Sequence, residues 1–292
     1  MDWSFAAVGV KALLYAATLT AGGGILFLAL LASHLDDEER RRSLRVVRIA
    51  ATVAIALTIA RVMVLGALLG DDAAGLWDWS LLQIVLDGSE GVASIVRAAG
   101  LAAVLAFSVH AGPTQALATV GALVAVGSFA LTGHTGSIGP GGLPRMIAFV
   151  HLAGVAYWMG ALVPLLIVAS GPDLDRVAAV LRRFSAGAAV AVGGLIVAGG
   201  TLLWLLLGTI EAALNSAYGQ FVLLKLALAA GLLTLAAVNK FRLTPRIARG
   251  DAAAAASLRR SIGAEIMLAG AILVATAVFT TVVGPPVLEA RP

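Results

Sequence analysis

The chain consists of long apolar runs separated by short polar or charged segments. Each run is about 20 residues long or more, the length an α-helix needs to cross a hydrocarbon core, whereas the strands of an outer-membrane barrel are about 10 residues long. The pattern predicts an all-α, polytopic membrane bundle of about eight transmembrane helices in a single integral membrane domain, residues 1–292. The predicted helices lie at residues 8–31, 46–69, 95–110, 114–131, 144–169, 186–208, 220–240 and 258–283.

Basic residues are concentrated after the first, fifth and seventh predicted helices. They are Arg40, Arg41, Arg42, Arg45, Arg48, Arg176, Arg182, Arg183, Lys240, Arg242, Arg246 and Arg249. The segments 70–91 and 208–219 carry acidic residues and no basic ones. By the positive-inside rule the basic segments are cytoplasmic. This alternation predicts that both termini and the turn "GHTGSIGPGG" lie outside.

The composition fits a membrane protein, since 60% of the residues are hydrophobic and 12% are charged. The sequence pI near 10.0 reflects the basic inner segments. These residues are spread over three segments and form no contiguous basic surface, so we expect no nucleic-acid partner. The chain has no cysteine, which excludes disulfides, iron–sulfur clusters and thiolate metal sites. Any metal ligands must therefore be His, Met, carboxylate or carbonyl groups.

We single out five ionisable side chains inside the predicted helices, because such a group costs about 2.5–3.5 kcal/mol at a helix centre. They are Arg61, Arg97, His151, Lys225 and Glu265. The basic and imidazole groups fall in the outer half of the membrane, and Glu265 lies nearer the inner side. Arg97 and Lys225 are close enough to the outer interface to snorkel, whereas Arg61 is deeper and needs an internal partner.

Two histidines flank the Gly/Pro-rich turn between the fourth and fifth predicted helices. His134 lies at the outer mouth, and His151 lies about two turns down the fifth helix. Because the turn favours antiparallel neighbouring helices, we expect the two imidazoles to be ligands of one site. Trp158 follows His151 by seven residues and shares its helix face. Met146 opens the same helix and is a candidate third ligand.

Three stretches in the second half combine these residues with further polar positions. They are "GH" followed by "VHLAGVAYWMGALVPLL", then "YGQFVLLKLALAAGLLTLAAVNKFRLTP", and then "LRRSIGAEIMLAGAILVATAVFTTVVGPP". Together they resemble the CopD family of bacterial inner-membrane copper resistance and transport proteins. The positions that match the family pattern are Arg97, His134, His151, Trp158, Gly160, Tyr218, Gly219, Lys225, Asn239, Pro245 and Glu265.

The resemblance implies a multi-pass inner-membrane copper transport or copper tolerance protein, not an enzyme. Copper would enter from the periplasmic side at His134 and His151, since imidazole and thioether groups suit copper. Trp158, Lys225 and Glu265 would act in gating or proton coupling. The candidate partners are copper ions, the lipid bilayer, a periplasmic copper chaperone and a second copy of the chain.

The positive charge in the outer half favours a second hypothesis. A copper cation beside Arg61, Arg97 and Lys225 needs compensating acids, whereas a haem would use the same charges. His134 and His151 would be the axial ligands of a b-type haem, and the Arg and Lys side chains would bind its propionates. Copper and haem b therefore both remain candidate cofactors from the residues alone.

Overall fold

The computed structural model of the chain describes residues 2–108, 113–132, 142–207 and 217–282, and every regular element within these ranges is helical. The α-helices are α1 Trp3–Leu31, α2 Asp37–Gly70, α3 Trp79–Asp87, α4 Ser89–Phe107, α5 Pro113–Gly127, α6 Leu143–Gly160, α7 Leu162–Val168, α8 Leu174–Leu207, α9 Ala217–Val238, α10 Thr244–Ile247 and α11 Ala252–Val282. Short 3₁₀ turns cover Ala32–His34, Ala73–Leu76 and Ser128–Leu131. A π-helix, Asn239–Leu243, joins α9 to α10.

Within the described residues, 8 helical segments are long and apolar enough to cross a membrane. They correspond one to one with the predicted helices, so the predicted all-α polytopic bundle is confirmed. We call the end of the bundle that carries the connections 32–36, 169–173 and 248–251 the basic end. The opposite end, with residues 71–88, is the acidic end.

Three helices, α2, α8 and α11, begin well before their apolar runs, at the basic end. The helix α2 begins at Asp37 because Asp36 and Glu39 form a reciprocal capping box, each side chain accepting a hydrogen bond from the other's backbone N–H. The helix α11 is preceded by Asp251, whose side chain accepts a hydrogen bond from the backbone N–H of Ala254. This hydrogen bond holds the pKa of Asp251 below its ordinary value. Caps and charged residues thus extend these helices beyond the apolar segments that hydropathy detects.

Two hydrophobic clusters form the core, and α1 contributes to both. One cluster joins α1, α2, α4 and α5 and includes Leu14 and Leu101. The other joins α1 with α6, α7, α8, α9, α10 and α11 and includes Phe27, Trp158 and Ile262. The long first helix is therefore the element that connects the two halves of the bundle.

The helices α1 and α6 cross in backbone contact through small residues. A β-carbon added at Gly160 would lie 2.6 Å from the Cα of Gly23, and one added at Gly23 would overlap the backbone of Ala156. Such close approach is how helices associate in lipid, where burial of apolar surface gives no driving force. The glycine run at residues 21–24 is thus a packing feature.

The helix α3 lies between α2 and α4 at the acidic end, and it does not belong to any spanning segment. Its nine residues are too few to cross a membrane. Trp79 and the preceding Trp77 are 64% and 74% exposed. Tryptophan is enriched where proteins meet the membrane–water interface, so α3 has the character of an interfacial helix.

Candidate functional site

Four charged side chains meet between α1, α2 and α4 near the acidic end. Lys11, Arg61, Glu90 and Arg97 form what we call the acidic-end cluster. Glu90 Oε1 lies 4.0 Å from Arg61 Nε and 4.0 Å from Arg97 Nη1, and its charge also acts on Lys11. The cluster thus holds three cations around one carboxylate. Glu90 thus partly neutralises the positive charge of this region.

Each cation of the cluster also has a neutral partner. Arg61 Nη1 donates to the carbonyl of Ala7 at 2.9 Å. Lys11 Nζ donates to the carbonyl of Thr280 at 3.1 Å, which ties α1 to the last turn of α11. These bonds supply Arg61 with the internal partner that its depth demands.

Arg97 is the most enclosed member of the cluster, with only 1% of its surface exposed. Its Nε donates to Ser128 Oγ at 3.1 Å, and its guanidinium lies 4.4 Å from the centre of the Phe129 ring. The Phe129 ring is packed edge-on against Tyr15. Arg97 therefore does not snorkel to the interface; the structure supports the alternative of an internal role.

His151 lies on α6 against α8, about 12 Å from the start of its helix at 1.5 Å per residue. The backbone of Leu195 on α8 lies near the ring. The ring edge faces Gly199, whose added β-carbon would lie 3.4 Å from Cε1. Nδ1 is buried and has no hydrogen-bond partner among the described residues.

Lys225 on α9 is near enough for its charge to act on His151. Its Nζ lies 5.8 Å from the centre of the Phe279 ring. At eight residues from the start of α9, it lies at a depth of about 12 Å, similar to that of His151. The structure thus brings His151 and Lys225 into one neighbourhood on the second half of the bundle, separate from Arg61 and Arg97.

The other predicted ligands are not brought to His151 by the described residues. His134 lies outside the described ranges. Met146 is 66% exposed, and five residues of helix separate it from His151 by about 140° around α6. No group of three or more His, Asp or Glu side chains in the described part of the chain has metal-binding spacing. A shared copper site therefore depends on His134.

A cavity of about 230 Å³ lies between α6, α8, α9 and α11, towards the basic end. Trp158, Asn239, Thr244 and Glu265 are among its lining residues. Trp158 follows His151 by two helical turns, and both side chains face α8, as the seven-residue spacing predicts. The second half of the bundle thus places His151 nearer the acidic end, and Trp158 and Glu265 together at the cavity nearer the basic end.

Glu265 is 3% exposed and accepts a short hydrogen bond from Nδ2 of Asn239. Asn239 is the first residue of the π-helix, and its carbonyl accepts a hydrogen bond from Thr244 Oγ1 at 2.8 Å. A π-helical turn adds a residue to the helix and frequently marks a functional site. Here the π-helical turn places the Asn239 side chain beside the carboxyl group of Glu265 on α11.

Sequence reasoning missed two members of the acidic-end cluster. Lys11 lies inside the first apolar run, which is itself the signal that could have identified it. Glu90 precedes Arg97 by seven residues, a spacing that places both on one helix face once α4 is known to begin at Ser89. The cavity beside Glu265 has no signal in the sequence, because it depends on how four helices pack.

The helices and their intramembrane polar groups define a multi-pass membrane protein. The chain belongs to the copper resistance protein D family. Residues 178–279 match the family described as "Copper resistance protein D", and residues 1–143 match "Copper resistance protein D-like, N-terminal domain". The CopD resemblance is thereby confirmed, and with it membership of a copper-related family.

The chain is also similar to "Copper transport protein CutJ" of Bacillus subtilis (strain 168). The two are 29% identical over 161 residues, which are 54% of this chain and 28% of that protein. The chain thus covers less than a third of that relative's length. No solved structure matches the chain. The two families and this relative are described by copper and not by haem.

Proposed function

We propose that this protein carries copper across the bacterial inner membrane and binds it from the periplasmic side through His134 and His151. The observation that carries the proposal is the buried Nδ1 of His151, which makes no hydrogen bond to a described residue, although the backbone of Leu195 lies near the ring. A buried imidazole nitrogen without a partner is unfavourable, and a metal ion would satisfy it. Imidazole is a suitable ligand for copper in either oxidation state.

The arrangement of polar groups suggests a route for copper through the bundle. Copper would enter at the acidic end, which we assign to the periplasm, and bind at the depth of His151. From there it would pass Trp158 towards the cavity of about 230 Å³ beside Glu265. Lys225 lies close to His151 and would act as a gate. Its positive charge repels a copper ion at His151 until the Lys225 side chain moves away from His151.

The acidic-end cluster favours copper over haem as the ligand of the histidines. Arg61 and Arg97 are engaged by the carbonyl of Ala7, by Ser128 and by Glu90. Guanidinium groups committed to such partners are less available to haem propionates. They also lie on the first half of the bundle, whereas His151 lies on the second.

Copper binding to the purified protein tests the shared site. His134→Ala and His151→Ala should each weaken copper binding by more than about tenfold, since even the loss of an indirect partner of a metal ligand has an effect of 10–100-fold. The double variant should add little, because ligands of one ion act as a unit. The measurement is equilibrium dialysis against copper, with elemental analysis of the bound metal.

His34→Ala is the matched control, because His34 lies at the basic end and its ring contacts Ser33. This variant should bind copper as the wild type does. Losses that simply add in the double variant, or full copper stoichiometry in His151→Ala, would reject the shared site. A Soret band in the absorbance spectrum of the wild type would establish haem instead.

A further inference from the structure

The carboxyl group of Glu265 is buried without a compensating charge. Among the described residues no lysine or arginine forms an ion pair with it, and its one polar partner is Asn239. The cations on the surrounding elements are engaged elsewhere: Lys240 lies over the ring of Phe241, and Arg259 donates to the carbonyl of Ala169. Lys11 on α1 belongs to the acidic-end cluster. A carboxylate in such a site is strongly unfavourable unless a cation neutralises it.

The side chain of Asn239 has an unsatisfied hydrogen-bond acceptor. Its Nδ2 donates to Oε1 of Glu265, but its Oδ1 is buried with no hydrogen-bond partner among the described residues. An ionised carboxylate only accepts hydrogen bonds, so it cannot satisfy this oxygen. A protonated carboxyl group can, because its second oxygen becomes an O–H donor. Adding one proton therefore neutralises the Glu265 carboxylate and provides a hydrogen-bond donor for Oδ1 of Asn239.

The donor set argues against a metal ion as the neutralising cation. Copper prefers imidazole and sulfur ligands, whereas Glu265, Asn239 and Thr244 offer only oxygen. A hard cation such as Ca²⁺ needs about 6–8 oxygen ligands. With Oε1 already bonded to the amide of Asn239, too few oxygens remain for that coordination.

We propose that Glu265 and Asn239 form a proton-binding pair. In the protonated state the amide and the carboxyl group make two reciprocal hydrogen bonds, from Nδ2 to Oε1 and from Oε2 to Oδ1. The proton comes from water in the adjoining cavity, whose volume of about 230 Å³ holds several water molecules at about 30 Å³ each. On deprotonation the Oε2–H bond to Oδ1 is lost, and the proton returns to that water.

The role of this pair in transport rests on the proposed function. The cavity that the pair lines lies on the basic-end side of the copper route, and Lys240 and the exposed Phe241 are also part of its lining. Proton exchange with the basic-end solvent would change the charge beside that route by one unit. Copper movement would then depend on the pH at this end of the protein.

Infrared spectroscopy of the purified full chain in lipid vesicles tests the pair without copper. The wild type should show the carbonyl stretch of a protonated carboxyl group at neutral pH, and Glu265→Gln should lack that band. In Asn239→Leu the band should move to higher wavenumber, because the carbonyl loses the hydrogen bond from the amide. Absence of the band at neutral pH, or a band that Asn239→Leu leaves unmoved, would overturn the pair.

Glu39→Gln is the matched control, because Glu39 is also buried but lies 3.6 Å from Arg176 Nε and retains its capping role as Gln. This variant should keep the band. Copper uptake into the same vesicles separates the two proposals. If neither the wild type nor any variant takes up copper, the proposed function fails. The infrared result still decides whether Glu265 and Asn239 bind a proton.

If uptake occurs, its initial rate in the wild type should change with basic-end pH by up to about tenfold per unit, the limit for one titrating group. Glu265→Gln should be insensitive to that pH. A variant that keeps the wild-type pH response would overturn the coupling role of Glu265.

Discussion

Charged residues in the acidic-end cluster hold different helices together. Glu90 on α4 faces Arg61 on α2 and Lys11 on α1, and Arg97 joins α4 to the turn after α5 through Ser128. One carboxylate thus partly neutralises three cations in a region with little access to water. Removing it leaves buried positive charges without a counter-charge, which is far more unfavourable than losing a surface ion pair.

Glu90→Gln is therefore expected to destabilise the protein by about 1–3 kcal/mol, below the about 3–5 kcal/mol of a fully buried pair, because Glu90 is partly exposed. Thermal unfolding in detergent measures the effect. The control is Glu38→Gln, since Glu38 pairs with Arg41 and Arg42 on the surface and should change stability little. Equal shifts in the two variants would show that the cluster has no stabilising role.

The sequence was sufficient to identify Arg61, Arg97, His151, Lys225 and Glu265 as unusual, because an ionisable group in an apolar run is visible without a structure. The sequence could not show which of these residues lie close to one another. Which helix faces which is a tertiary property, so the division between the acidic-end cluster and the neighbourhood of His151 appears only in the fold. Whether His134 joins His151 stays a prediction.

At the level of helices, the sequence predicts the spanning segments but not the short elements between them. Apolar run length was enough to locate the 8 spanning segments because the hydrocarbon core imposes that length. The helix α3 was missed since nine residues cannot span, and the π-helix Asn239–Leu243 was missed because it depends on packing against α11 and not on a residue pattern.

The contact between α1 and α6 gives a test at this scale. Gly23→Ala places a methyl group against the backbone of Ala156 and Gly160, and backbone cannot move aside as a side chain can. We expect a loss of about 1–3 kcal/mol from overpacking, measured by thermal unfolding. Gly9→Ala on the same helix meets nothing within 4 Å and should be neutral or slightly stabilising. Similar behaviour of both variants would refute the crossing.

The whole molecule has two halves that share one helix. The cluster of α1, α2, α4 and α5 lies within residues 1–143, which match the N-terminal family, and α8–α11 contain residues 178–279, which match the second. The helix α1 crosses from the first core to the second, so both halves depend on it. Polar groups differ between the halves: the first holds the acidic-end cluster, and the second holds His151, Lys225 and Glu265.

Under the proposed function, the orientation of this bundle in the membrane decides from which side copper would reach His151. Lys and Arg are concentrated at the basic end, which the positive-inside rule places in the cytoplasm. A reporter fused after Pro292 should therefore behave as periplasmic, and one fused near Arg249 as cytoplasmic. Fusions after Asp72 and after Gly171 are matched controls at the acidic and basic ends, and they should follow the same alternation. Alkaline phosphatase activity and green fluorescence report the two sides. The opposite pattern would place His134 and the acidic-end cluster in contact with the cytoplasm, and copper could not then enter from the periplasm at these residues.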